Sequence, residues 1–272
     1  MDTPWLYEVP IWVIGAFYVA VLFVAVESGY RVGLHHHRSN GGEKTKTRGD
    51  VTLGSLLALL GLMLAFTYAF GLSRADMRKQ AVVEEANAIG TAFLRADLAA
   101  EPGRSELRAL LLDYARTRVV TAEMISTHEK LTEVIARSEQ AQSALWPATK
   151  RLVQGGPPDP IQASIVLAIN DVLDAHTRRV AVVFDRLPGI VLALLVLIAA
   201  ASLAVAAHNA GLNGHMSRWR MSAFALVLAA LMLVIVDFDQ GKRGMIQISD
   251  KPIEAVVRDM EATLGIDRLS EK

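Results

Sequence analysis

The stretch VTLGSLLALLGLMLAFTYAFGLSRADMRKQAVVEEANAIGTAFLRADL, Val51 to Leu98, holds two different helical patterns in one unbroken run. Val51 to Leu72 carries no charge and is long enough to span a hydrocarbon core, which takes roughly 20 apolar residues. Beyond Ser73 the pattern becomes amphipathic. Glu84, Glu85, Asn87, Thr91, Arg95 and Asp97 interleave with Val82, Val83, Ala86, Ile89, Phe93 and Leu94. No proline separates the two halves, so a membrane span is expected to continue as a stalk outside the membrane.

Three further apolar runs frame this one: Ile11 to Val26, Leu187 to Ala207 and Met221 to Val236. Trp5, Tyr7, Trp12, Tyr30 and Trp219 flank them as interfacial anchors. Of the 272 residues 52% are hydrophobic, and mean hydropathy is +0.32. A wholly soluble enzyme is excluded by that apolar excess. Asp2 and Glu8 precede the first run without any Lys or Arg, so it reads as a retained span, not a signal peptide. Net charge is zero, which removes the basic face that nucleic acid binding needs. Cysteine is absent, and with it disulfides and thiolate metal ligands.

The expected fold class is an all-α integral membrane protein. Four transmembrane helices carry a helical extramembrane bundle inserted between the second and third. The expected division is a first transmembrane hairpin over 1–72, a helical domain over 73–186, a second hairpin over 187–237 and a C-terminal tail over 238–272. The helical domain balances 15 basic against 15 acidic residues. Its breaks fall at Pro102-Gly103 and at GGPPDP, Gly155 to Pro160. Ser105 is the expected N-cap of a second helical piece, which softens near Arg118 to Thr121 and runs past Gln140. Asp159-Pro160 is an N-cap followed by an N1 proline. From there Ile161, Ile165, Ile169, Val172, His176, Val180, Val183 and Leu187 form one stripe, and Pro188 breaks the helix before the third span. In the tail, Met245 to Ser249 alternates like a short strand, and Pro252 to Leu264 reads as an amphipathic helix.

Loop charges orient the chain. The loop from Gly29 to Asp50 is net +3, and Arg218 and Arg220 lie between the last two spans, against a net −2 tail before the first. The positive-inside rule then places both short loops in the cytoplasm of the bacterial inner membrane, with the N-terminus and helical domain in the periplasm.

The candidate site residues lie mostly on the second span and its stalk. Ser55, Leu62, Phe66 and Phe70 are candidates for a pore lining with a hydrophobic constriction. Gly54, Ala58, Gly61 and Ala65 form a small-residue stripe suited to close helix packing, within or between subunits. Glu84, Glu85 and Asn87 would become a ring of acids around the axis of an oligomer, or else sit as a solvated face. Glu27 is an ionisable residue at membrane depth, and Arg31 is its nearest partner. Asp237 and Asp239 suit a cation, the Gly241 turn or pairing with Lys242 and Arg243. His35-His36-His37 reads as a polar loop at headgroup level, and His176 as a packed core residue. No metal site and no cofactor are expected. Phosphate-loop, dinucleotide, zinc-protease and nucleophile-elbow motifs are all missing, so no enzyme is expected.

Phe70 to Leu98, SELRALLLDYARTRV (Ser105 to Val119), HTRRVAVVFDRLP (His176 to Pro188) and VDFDQGKRGMIQIS (Val236 to Ser249) together resemble the bacterial bestrophin-like domain family. The resemblance covers nearly the whole chain. It implies similarity in outline to bestrophins, oligomeric anion channels with a large cytoplasmic helical domain after the second span. That side is opposite to the one the loop charges give, and acidic candidates are at odds with anion conduction. The expected function is a homo-oligomeric, bestrophin-like ion channel, its partners being the lipid bilayer, further copies of itself and a permeant inorganic ion. The alternative is a non-conducting membrane scaffold or envelope sensor acting through the helical domain.

Overall fold

The structure is a computed structural model that describes residues 9–39, 50–154, 159–241, 244 and 247–270. Among the described residues it is all helical and has no strand. The helices are α1 (Ile11–Ser39), α2 (Asp50–Ala96), α3 (Gly103–Thr117), α4 (His128–Ser143), α5 (Leu145–Val153), α6 (Pro160–Phe184), α7 (Gly189–Leu212), α8 (Arg218–Gln240) and α9 (Lys251–Ser270), with one 3-10 turn at Glu123–Ile125. Among the described residues four helical stretches, carried by α1, α2, α7 and α8, are long and apolar enough to cross a membrane.

The chain divides into two compact units, Met1–Ser73 with Arg186–Gln240, and Arg74–Asp185 with Gly241–Lys272. The first unit is organised by α1 against α7. Gly29 and Gly33 allow the contact: a Cβ on Gly29 would stand 2.2 Å from the Ala204 carbonyl oxygen, and one on Gly33 2.2 Å from that of His208. From the opposite side, a Cβ on Gly211 would meet the Tyr30 carbonyl oxygen at 2.6 Å. Only hydrogen fits between these backbones. Close approach of this kind supplies the dispersion contact that holds helices together where lipid removes the hydrophobic incentive. Leu22, Val26, Leu203 and Ala207 pack on one side of the crossing, and Ile14, Leu195 and Ile235 in a second cluster.

The second unit has a core of the soluble type. Ile89, Leu107, Leu111, Leu145, Ile165 and Ile169 are fully buried, each worth about 1.5–3 kcal/mol against exposure. Arg108 lies 4.7 Å over the Phe93 ring while pairing with Asp97 at 2.8 Å. Helix starts follow their caps. Thr127 accepts from the Lys130 amide at 3.2 Å, and Asp159 from Ile161 at 2.9 Å with Pro160 at the first position. Gly241, at φ +64°, supplies the left-handed residue that follows α8.

Several sequence expectations are corrected. The first polar loop does not begin at Gly29: α1 runs to Ser39, so Arg31, Arg38 and the three histidines ride on a helix. Ser105 is no N-cap. α3 already begins at Gly103, and the Ser105 amide and hydroxyl both donate to Glu101. The second helical piece is two helices, because the soft patch after Thr117 opens into the turn at Glu123–Ile125. Residues 247–250 have no regular structure, and Met245 and Ile246 of the expected strand, like Gly155 to Pro158 and Lys242-Arg243, lie outside the described residues.

Candidate functional site

α2 supplies most of the candidates, and the structure separates them by face. In the first unit Ser55, Leu62, Phe66 and Phe70 are all exposed, the last three by 54%, 56% and 63%. Gly54, Ala58, Gly61 and Ala65 share that exposure, and among the described residues nothing outside the helix's own backbone approaches within 4 Å of a Cβ built on Gly54 or Gly61. Among the described residues the small-residue stripe packs against no other helix of this subunit, and its expected contact between subunits is untouched by this. A close helix crossing within the first unit is made by Gly29 and Gly33 of α1, four residues apart, with Gly211 of α7. The spanning part of α2 is mostly exposed while that of α8 is nearly half buried, so among the described residues one face of α2 has no partner. Ser55 donates its hydroxyl to the Val51 carbonyl at 2.9 Å and so is satisfied within the helix.

In the second unit, exposed positions on α2 recur every three or four residues: Asp76, Gln80, Glu84, Asn87, Thr91 and Leu94. Glu84 is half-exposed and accepts from Arg178 at 2.5 Å. Glu85 is different and corrects the expectation of a two-carboxylate field. It is fully enclosed, because its position on the helix turns it into the bundle.

Around Glu85 lies a buried polar cluster. Arg118 Nε donates to one carboxylate oxygen at 2.7 Å, and Arg179 Nη1 to the other at 2.6 Å. The Tyr114 hydroxyl donates to the oxygen shared with Arg118 at 2.5 Å. Since that proton is committed, the 3.1 Å contact between Tyr114 and His176 requires His176 Nδ1 to be the donor. Arg118 also donates to Ser138 at 3.0 Å. Arg179 Nη2 donates to Asp250 at 2.9 Å, and the other Asp250 oxygen accepts from the Val120 amide at 2.9 Å. Two carboxylates and two guanidiniums thus meet with charges balanced, which is the condition for burying ions at tolerable cost.

The electrostatics follow from this enclosure. Burial alone would push the Glu85 carboxyl up, but Arg118 and Arg179, with hydrogen bonds from Tyr114 and Arg179, outweigh it and hold it below the usual range. Burial, and then the Glu85 charge, push the Tyr114 phenol up. His176 is lowered to about 4, by burial first and then by Arg118, while Glu85 opposes and Arg179 adds to the shift. It is a packed neutral histidine, but one inside a polar network. The cluster offers no open nucleophile or base. Its chemistry is that of a clamp joining α2, α3, α4, α6 and the residue before α9. Apart from Glu85 and His176, sequence reasoning passed over all its members, because they lie far apart in the chain and share no spacing.

The remaining candidates lie in the first unit. Glu27 pairs with Arg31 one turn on, at 2.8 Å. Asp237 and Asp239 are buried, and both Asp239 oxygens face the Leu187 amide, at 3.1 and 3.2 Å. That carboxylate anchors the entry to α7, while Lys242 and Arg243, its other expected partners, lie outside the described residues. No group of three or more His, Cys, Asp or Glu able to hold a metal ion occurs among the described residues.

The fold has solved relatives. A bacterial bestrophin homologue from Klebsiella pneumoniae, in a single-residue variant, superposes with a TM-score of 0.66 at 10% identity, covering 91% of this chain and 98% of that one. A second variant of that homologue gives 0.62 at 10% identity, covering 89% and 98%. A crystal structure described only as a membrane protein gives 0.63 at 11% identity, covering 92% and 97%. No curated protein matches the chain. The model of the Bestrophin-like domain matches residues 16–253, nearly the whole of the fold described above, and the chain belongs to the bestrophin-like family.

Proposed function

We propose that the protein is a homo-oligomeric ion channel of the bacterial inner membrane, with α2 lining the pore. One observation carries the reading: the face of α2 bearing Ser55, Leu62, Phe66 and Phe70 belongs to a helix long enough to cross the membrane and has no partner among the described residues. Copies arranged about an axis would turn that face inward. Phe66 and Phe70, with Leu62, would form the hydrophobic constriction, and Glu84 and Asn87, with Asp76 and Gln80, a polar mouth. Glu85 takes no part, since its carboxylate serves the buried clamp. Membership in the bestrophin-like family supports a channel-like role, and a channel needs no catalytic group. The partners are the bilayer, further copies of the chain and a small inorganic ion. Loop charge supports a periplasmic second unit.

Purified full-length protein in a planar bilayer under a KCl gradient tests the reading. Current that reverses near the potassium or the chloride equilibrium potential supports a channel and fixes its sign. Bilayers that contain the protein and stay silent across pH, calcium and membrane tension would overturn it in favour of a non-conducting scaffold or envelope sensor.

A further inference from the structure

Away from α2, two histidines from distant parts of the chain meet at one end of the first unit. His36 lies in the last turn of α1, and His208 in the last third of α7. His36 Nδ1 stands 3.3 Å from His208 Nε2, with the rings edge to face at 81°. At that separation one neutral ring can donate a hydrogen bond to the other, the tautomer deciding which. The same separation matches the spacing of two imidazole nitrogens on one tetrahedral metal: at about 2.05 Å each, they stand about 3.3 Å apart.

The backbones beneath the pair cannot drift. Gly33 lies one turn before His36, and it is the His208 carbonyl oxygen itself that a Cβ on Gly33 would strike at 2.2 Å. Gly211, one turn beyond His208, is pressed against Tyr30 and Leu34 in the same way. The glycine crossing therefore sets the distance between the two imidazoles before any ligand arrives. Such preorganisation keeps a two-residue site from being lost to side-chain freedom.

We propose that His36 and His208 chelate one borderline divalent transition metal, of the zinc or nickel class, at the α1–α7 crossing. The soft-to-borderline imidazole pair selects against magnesium and calcium, which prefer oxygen. No third protein ligand joins the pair among the described residues, so water completes the coordination. The bound ion would staple α1 to α7. The site is independent of the pore reading.

Calorimetric titration of the tag-free, full-length protein with zinc chloride tests the proposal, with magnesium chloride as the control. Saturable binding of one zinc per chain is expected, together with a rise in melting temperature. His36→Gln and His208→Gln should each weaken binding about ten-fold or more and abolish the rise, while eluting and melting as the wild type without metal. A His35→Gln/His37→Gln variant should bind zinc normally. The proposal is overturned if zinc does not saturate, if His36→Gln and His208→Gln bind as the wild type does, or if binding follows His35 and His37. The geometry has its own check in this cysteine-free chain: a His36→Cys/His208→Cys variant should form an intramolecular disulfide under mild oxidation, and failure to do so would overturn the pairing.

Discussion

Arg179 reaches Asp250 with Nη2 at 2.9 Å, tying the last turns of α6 to the residue that introduces α9. Its Nη1 simultaneously holds Glu85 of α2 at 2.6 Å. One guanidinium therefore connects elements that are 71 and 94 residues from it along the chain. Severing a buried pair by deleting one charge costs far more than the intact pair contributes, because the partner stays buried and unpaired. Arg179→Met should lower the stability of the second unit by about 3–5 kcal/mol. Asp250→Asn keeps an acceptor for the Val120 amide and should cost about 1–3 kcal/mol. Denaturant titration in detergent measures both. Equal and negligible losses would sink the clamp.

The same cluster makes stability depend on pH through His176. Its folded value, about 4, lies below the ordinary 6.5, so the unfolded chain takes up a proton that the folded one refuses. Stability conferred by the neutral ring is complete above about pH 6.5 and is lost as pH falls toward 4. Between pH 7.5 and 5 the loss should be about 2 kcal/mol, and His176→Gln should remove that increment. Parallel pH profiles for the two proteins would contradict the assignment.

Gly33→Ala should be among the most damaging single-methyl changes in the first unit. The new Cβ meets a backbone oxygen, which cannot move aside as a side-chain tip can. A cost of about 3 kcal/mol or more is expected, the upper end for overpacking. Gly54→Ala meets open space and should melt like the wild type. A Gly54→Ala loss as large as that of Gly33→Ala would move the close packing to the contact between copies.

If α2 lines a pore, its two neighbouring acids should part company under substitution. Glu84→Gln should shift the reversal potential while leaving the fold intact, since Glu84 is half-exposed and its pair with Arg178 is worth about 0–1 kcal/mol. Glu85→Gln should instead destabilise the second unit, as it takes the carboxylate charge from Arg118 and leaves Arg179 paired with Asp250 alone. Phe66→Ala should raise single-channel conductance by removing an exposed ring from the constriction. Conductance unchanged by Phe66→Ala, together with selectivity unchanged by Glu84→Gln, would remove this face of α2 from the pore.

The orientation can be read directly, because the chain has no cysteine. The Asp113 side chain is 70% exposed, so Asp113→Cys offers a reporter in the second unit. Loop charge leads us to expect modification by a membrane-impermeant maleimide in intact spheroplasts. Protection there, with labelling after lysis, would place this unit in the cytoplasm.

Local pattern was enough for much of this architecture. Uncharged runs of spanning length, the Asp159-Pro160 cap and the proline before α7 are features of neighbouring residues, and helix geometry converts them into structure with little tertiary help. The amphipathic stripe of α6 likewise told which side of it would be buried, though not that Ile161 at its start would stay exposed. Local pattern misled where a boundary depended on contact. Arg31 and the histidines looked like a loop because they are polar, yet Gly29 and Gly33 bind that stretch to α7 and the helix continues through it.

The sequence by itself determined an all-helical membrane protein, the order of its spans and the neutral, amphipathic character of what lies between them. Tertiary structure alone decided that Glu84 would face solvent while Glu85 entered a cluster with Arg118, Arg179 and Asp250, that the small residues of α1 would meet the backbone of α7, and that His36 would find His208. The reason is physical. Periodicity fixes which side of a helix is apolar, but a charge or an imidazole acquires its partner only when helices distant in sequence close to within a few ångströms, and that approach is set by how whole faces pack.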